Sequence, residues 1–152
     1  MKGKEMMSMR VAIAKDKFLS GYNCAQSILY AFREEGDLSE ETALKIACGL
    51  GAGMGRKEEI CGAVSGGILV LGLRHGRGSK GDRSAMELTY LKTRELIDQF
   101  SRRYGTFVCR RLLNGCELMT EEGQKYFKEN ELLNKTCTPC VESVAEILES
   151  IL

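Results

Sequence analysis

Seven cysteines, at positions 24, 48, 61, 109, 116, 137 and 140, carry most of the reactive chemistry in this 152-residue chain; there is one histidine, His75. Thiols in that number point to two chemistries, thiol–disulfide exchange and metal ligation. Both need thiolates, so the useful question is which positions favour the ionised form. Cys24 and Cys61 fall in the expected first turns of helices, where the peptide dipole stabilises negative charge. Cys109 sits among Arg102, Arg103, Arg110 and Arg111, and nearby positive charge acts in the same direction. Cys137 and Cys140 form a C-x-x-C pair at an expected helix start, with Thr138 as the cap and Pro139 in the first helical position.

Other chemistries have less to work with. Cysteine–histidine nucleophilic catalysis needs a histidine, and His75 is read as solvent-facing in a polar loop. A thioredoxin-like use of C-x-x-C requires a strand–helix–strand setting that the pattern lacks. A zinc ribbon would need a second close cysteine pair, whereas the remaining cysteines come singly. The run Gly49-Leu50-Gly51-Ala52-Gly53-Met54-Gly55 fails the dinucleotide fingerprint, because the third glycine position falls on Met54 or Arg56. It fails the phosphate loop as well, since Lys57 is followed by Glu58 rather than by Ser or Thr. These glycines are expected to turn the chain sharply beside the Cys61 helix.

The elements that must position the thiols read as helices almost throughout. Apolar residues recur at three- and four-residue spacing, and alternating strand patterns bounded by turn dipeptides are missing. The fold class is therefore all-α, with residues 1–152 as one domain of five to seven helices around a glycine-rich central helix. A first helix is expected over 6–18 and a second over 23–34, capped by Ser20 or Asn23 and closed by Gly36. Ser39 caps a third. The uncharged stretch 60–73 is too short to span a membrane and suits a buried helix from Cys61 to about Arg74. Asp82 or Ser84 caps a long helix that Gly105 ends, and Thr120 caps another. Gly62 and Gly66 lie one turn apart on one face, the spacing that permits very close helix contact. That face is the candidate surface for a homodimer or for cofactor approach.

Bulk properties exclude several classes. The net charge of +1 supplies no field for nucleic acid or an anionic membrane. Residues 1–10 are not followed by the apolar run of a secretory signal, and no segment is long and apolar enough to insert in a membrane. The expected address is the cytoplasm, where a reducing environment turns so many cysteines away from structural disulfides.

The pattern resembles the C_GCAxxG_C_C family, small proteins described as redox-active and named for four cysteines. The likeness rests on Asn23-Cys24-Ala25-Gln26, on residues 51–55, on Cys61-Gly62-Ala63-Val64-Ser65-Gly66 followed by Leu71-Gly72-Leu73 and Gly76, on Gly105 with Cys109-Arg110, and on Cys137. The resemblance puts the family cysteines on Cys24, Cys61, Cys109 and Cys137, with Cys116 as the other choice for the last, and leaves Cys48, Cys116 and Cys140 as extras. It implies thiol–disulfide redox chemistry among the four, with Cys137 as a candidate resolving thiol, the pairing open and the redox partner unidentified. The alternative is that the same four cysteines ligate a metal, either an iron–sulfur cluster or zinc, with Gly62 and Gly66 letting backbone approach it. Relatives resemble a module of multihaem cytochromes, but Val141 follows Cys140 here, so the C-x-x-C-H needed for covalent haem is broken. A third reading is an all-α interaction domain with buried cysteines.

Overall fold

Asn23 shows how the local sequence sets up the fold. Its side chain accepts from the Gln26 backbone N–H at 2.9 Å, while the Gln26 side chain accepts from the Asn23 N–H at 3.0 Å. This capping box satisfies two helix-end donors at once and starts a helix at Cys24. The same two side chains also donate outward, Asn23 to the Cys48 carbonyl and Gln26 to the Leu44 carbonyl. A cap and a tertiary brace are thus the same residues.

The computed structural model describes residues 2–152, with side chains from Met9 onward. The side chains of residues 6–8, expected in the first helix, lie outside the described residues. The helices run α1 (Lys2–Leu19), α2 (Cys24–Ala31), α3 (Glu40–Ala47), α4 (Gly51–Met54), α5 (Gly62–His75), α6 (Arg83–Tyr104), α7 (Cys109–Leu112), α8 (Glu121–Glu129) and α9 (Thr138–Ile151). Among the described residues there is no β-strand, only an isolated antiparallel bridge between Ile60 and Val108. The all-α expectation holds. The expected five to seven helices undercount the chain, because periodicity detects long amphipathic helices and misses single turns such as α4 and α7.

The Gly62/Gly66 face of α5 is occupied from within the chain. A Cβ on Gly66 would come within 2.8 Å of the Ala25 carbonyl oxygen and 3.0 Å of its Cα, and one on Gly62 would collide with the Cys24 sulfur. Helices α2 and α5 therefore cross at backbone contact, and the homodimer expected through this face has no surface left to use. The opposite side of α5 packs on α6 and α9, where Val64, Val70, Leu71, Leu96, Val144 and Leu148 are fully buried.

Two features were invisible to helix periodicity. Arg10 of α1 makes a two-pronged ion pair with Glu149 of α9, at 2.6 and 2.7 Å, and also reaches Glu35 at 2.9 Å. Arg74 of α5 closes the group on Glu35 at 3.1 Å, and the Arg10 guanidinium lies over the Phe32 ring. The second feature is a left-handed turn. Residues 52–56 all have positive φ, including Ala52 (53°), Met54 (71°) and Arg56 (69°), and Glu58 (57°) repeats it. Each non-glycine residue there costs on the order of 1–2 kcal/mol. Glycine alone does not make this turn; the surroundings hold it, through Glu59 N–H to the Gly53 carbonyl (2.9 Å) and Leu118 N–H to the Glu58 carboxylate (2.8 Å).

Candidate functional site

Five cysteines from four separate stretches of the chain line one cavity of about 260 Å³. Cys24 is the first residue of α2, Cys61 caps α5, and Cys109 begins α7. Cys137 ends a π turn over Leu133–Cys137, and Cys140 lies in the first turn of α9. The four thiols expected from the sequence are thus brought together. Cys140, expected as an extra, joins them. Cys48 is exposed and stands apart, and Cys116 is buried elsewhere, its thiol donating to the Gly123 carbonyl at 3.0 Å. The remaining wall is mostly apolar, with Phe18, Leu113, Leu118 and Phe127 prominent.

The Ile60–Val108 bridge is what sets two of these thiols side by side. Cys61 N–H donates to the Phe107 carbonyl at 2.8 Å, and Cys109 N–H donates to the Glu59 carbonyl at 2.6 Å. This short ladder forces the starts of α5 and α7 against each other.

The thiols do not share one electrostatic setting. The Cys140 thiol, on the same cavity wall, pulls the Cys61 pKa below its ordinary value; burial opposes this, and the Ala63 and Val64 N–H groups of the first α5 turn reinforce it. The same interaction, with burial, pushes Cys140 far up. Burial drives Cys24 up to about 12, helped by the Cys61 charge and opposed by the N–H groups of Ala52, Ala25 and Cys24 itself. Burial likewise takes Cys137 up to about 12, with the charges of Cys24 and Cys61 adding to it. Cys109 rises for the same first reason, then through Cys61, Cys24, Cys137 and Glu58.

Three expectations are corrected by this. A helix start does not make Cys24 a thiolate, because loss of water outweighs three amides. Arg102, Arg103, Arg110 and Arg111 do not serve Cys109: all four are exposed while the thiol is buried, and Arg103 pairs with Glu146 at 2.9 Å. Cys137 is not at a free helix end. The π turn runs straight into α9, and Thr138 donates to the Leu133 carbonyl at 2.9 Å instead of capping. Pro139 has no N–H to give the preceding turn, and a widened π turn accommodates that loss. His75 also moves: it is the last residue of α5, and its Nε2 is buried without a partner.

Metal geometry can be tested on the same atoms. Among the described residues, no three His, Cys, Asp or Glu side chains are placed to hold a single ion, so a zinc site does not fit. Gly66, expected near a cofactor, faces the Ala25 backbone; Gly62 does line the cavity. Sequence reasoning undervalued Cys140, although the C-x-x-C spacing already marked it, and passed over Glu58, whose Oε2 is buried without a partner. No simple local pattern announces that carboxylate.

The family model described as putative redox-active protein (C_GCAxxG_C_C) matches residues 22–151, which spans every cavity cysteine. The chain belongs to the C_GCAxxG_C_C family. No curated protein and no solved structure matches it. Its C_GCAxxG_C_C motifs now have physical roles: Asn23 and Gln26 form the cap that places Cys24, and Gly62 and Gly66 give the clearance that α2 needs. No helix among the described residues is long and apolar enough to cross a membrane.

Proposed function

We propose that this chain cycles between a dithiol and a disulfide at Cys61 and Cys140. The observation that carries the reading is that Cys61 and Cys140 line one buried cavity, and the Cys140 thiol with the first α5 amides favours thiolate at Cys61. The thiolate is the nucleophile in thiol exchange. Oxidation takes two electrons from the pair to an acceptor and releases two thiol protons as the S–S bond forms; reduction reverses both. Cys24, held over Gly62, stands beside the pair, and Cys137 gives up the resolving role expected of it. A reducing compartment such as the cytoplasm would return the pair to the dithiol.

The test is a thiol map. After mild oxidation with diamide, alkylation and peptide analysis should find Cys61 and Cys140 protected and joined, and Cys61→Ser should abolish the protection. Complete labelling of all five cavity thiols after oxidation would overturn the reading. A second reading, an iron–sulfur cluster bound by the cavity thiols, is favoured by their convergence on one space wider than a single ion needs. Anaerobic purification with iron analysis separates the two: brown, iron-loaded protein supports the cluster.

A further inference from the structure

The cavity also constrains what exchanges electrons with the thiols. No Asp, Glu, Lys, Arg or His lines it, and its polar side chains besides the thiols are Tyr22, Asn23 and Thr136. An unpaired charge brought into such a space loses its hydration without compensation. The anionic thiols and disulfides of the cell are disfavoured on that ground. A protein disulfide is disfavoured on another: Cys61 is 7% exposed and Cys140 2%, so neither sulfur can reach a disulfide carried on a folded surface. Size narrows the choice further. A cavity of about 150 Å³ holds one benzene ring, and drug-sized ligands take roughly 300 Å³ or more. At about 260 Å³ this space suits a molecule of one or two rings. Phe18, Tyr22 and Phe127 contribute aromatic rings to the wall, and exposed Tyr22 and Leu133 mark its rim.

We infer that the cavity binds a small uncharged quinone, which serves as electron acceptor for the Cys61–Cys140 pair. This rests on the dithiol reading above. In the step, the Cys61 thiolate adds to a ring carbon, forming a C–S bond and placing an electron pair on a quinone oxygen. The Cys140 sulfur, giving up its proton, attacks the Cys61 sulfur. The S–S bond forms, the C–S bond breaks, and its electrons pass into the ring. The hydroquinone leaves with one oxygen carrying the Cys140 proton and the other a proton from water, which replaces the one Cys61 lost on becoming a thiolate.

The experiment uses reduced, iron-free full-length protein without oxygen, mixed in turn with menadione, oxidised glutathione, cumene hydroperoxide and diamide. Menadione should be consumed one for one, with Cys61 and Cys140 joined, at least roughly 100-fold faster than oxidised glutathione reacts. Naphthalene, which has the shape and no redox chemistry, should raise the melting temperature of Cys61→Ser saturably, and Leu112→Trp, folded by circular dichroism, should lose that shift. Glutathione disulfide or the hydroperoxide matching menadione overturns the inference, as does naphthalene without effect. If diamide joins the pair and menadione does not, the quinone inference alone falls; if diamide also fails, the dithiol reading falls with it.

Discussion

Cys61 and Cys109 begin as near mirror images. Each starts a helix, and each donates its N–H across the same two-stranded bridge, one to Phe107 and the other to Glu59. Their sulfurs nevertheless move in opposite directions. Cys61 heads a fourteen-residue helix and meets the Cys140 thiol and two free amides. Cys109 heads a four-residue turn, has no such donors, and faces the other thiols and Glu58 in a dry setting. A helix start is therefore not a thiolate site in itself. What decides is whether hydrogen-bond donors replace the lost water.

The largest expected break in this comparison comes from Gly62→Ala. The added methyl has to displace the Cys24 sulfur or part α2 from α5, a cost of about 1–3 kcal/mol. Urea unfolding should show it as a lowered midpoint with unchanged slope; equal stability would mean that the α2–α5 seam has slack. Next is Cys140→Ala. Cys140 is the main group that lowers the Cys61 pKa, so its removal raises that pKa and the thiolate fraction at neutral pH falls. The Cys61 alkylation rate at pH 7 should drop about tenfold, with its pH profile moved to higher pH. An unmoved profile would assign the depressed pKa to the α5 amides alone. The smallest effect belongs to Arg110→Gln with Arg111→Gln. Both side chains are exposed, so Cys109 alkylation should change less than about twofold. A larger drop would restore the arginines as partners of that thiol.

The legible parts of the molecule were local. Ser39, Asp82 and Thr120 cap their helices as their types suggest, each accepting from a nearby backbone N–H, and Gly105 ends α6. Asn23 was one of two choices for α2, and the structure selects it. What stayed hidden depends on distant segments. Nothing near Arg10 in sequence points to Glu149, and nothing near Cys61 points to Cys140. The thiol settings were misjudged for the same reason. Charge and helix ends can be read along a chain, but the water withheld from Cys24 and Cys109 is set by how α2, α5, α7 and α9 converge.

The left-handed turn over residues 52–56 has a consequence for how the chamber wall is held. Three of its residues are not glycine, so the isolated chain has no reason to adopt it. Two contacts hold it: a local one, Gly53 packed against the Glu58 backbone, and a distant one, the Leu118 N–H donating to the Glu58 carboxylate. Ala52 forms part of the cavity wall. Part of the thiol chamber's wall is thus strained backbone, tied to the rest of the fold through a carboxylate whose partner lies 60 residues further along the chain.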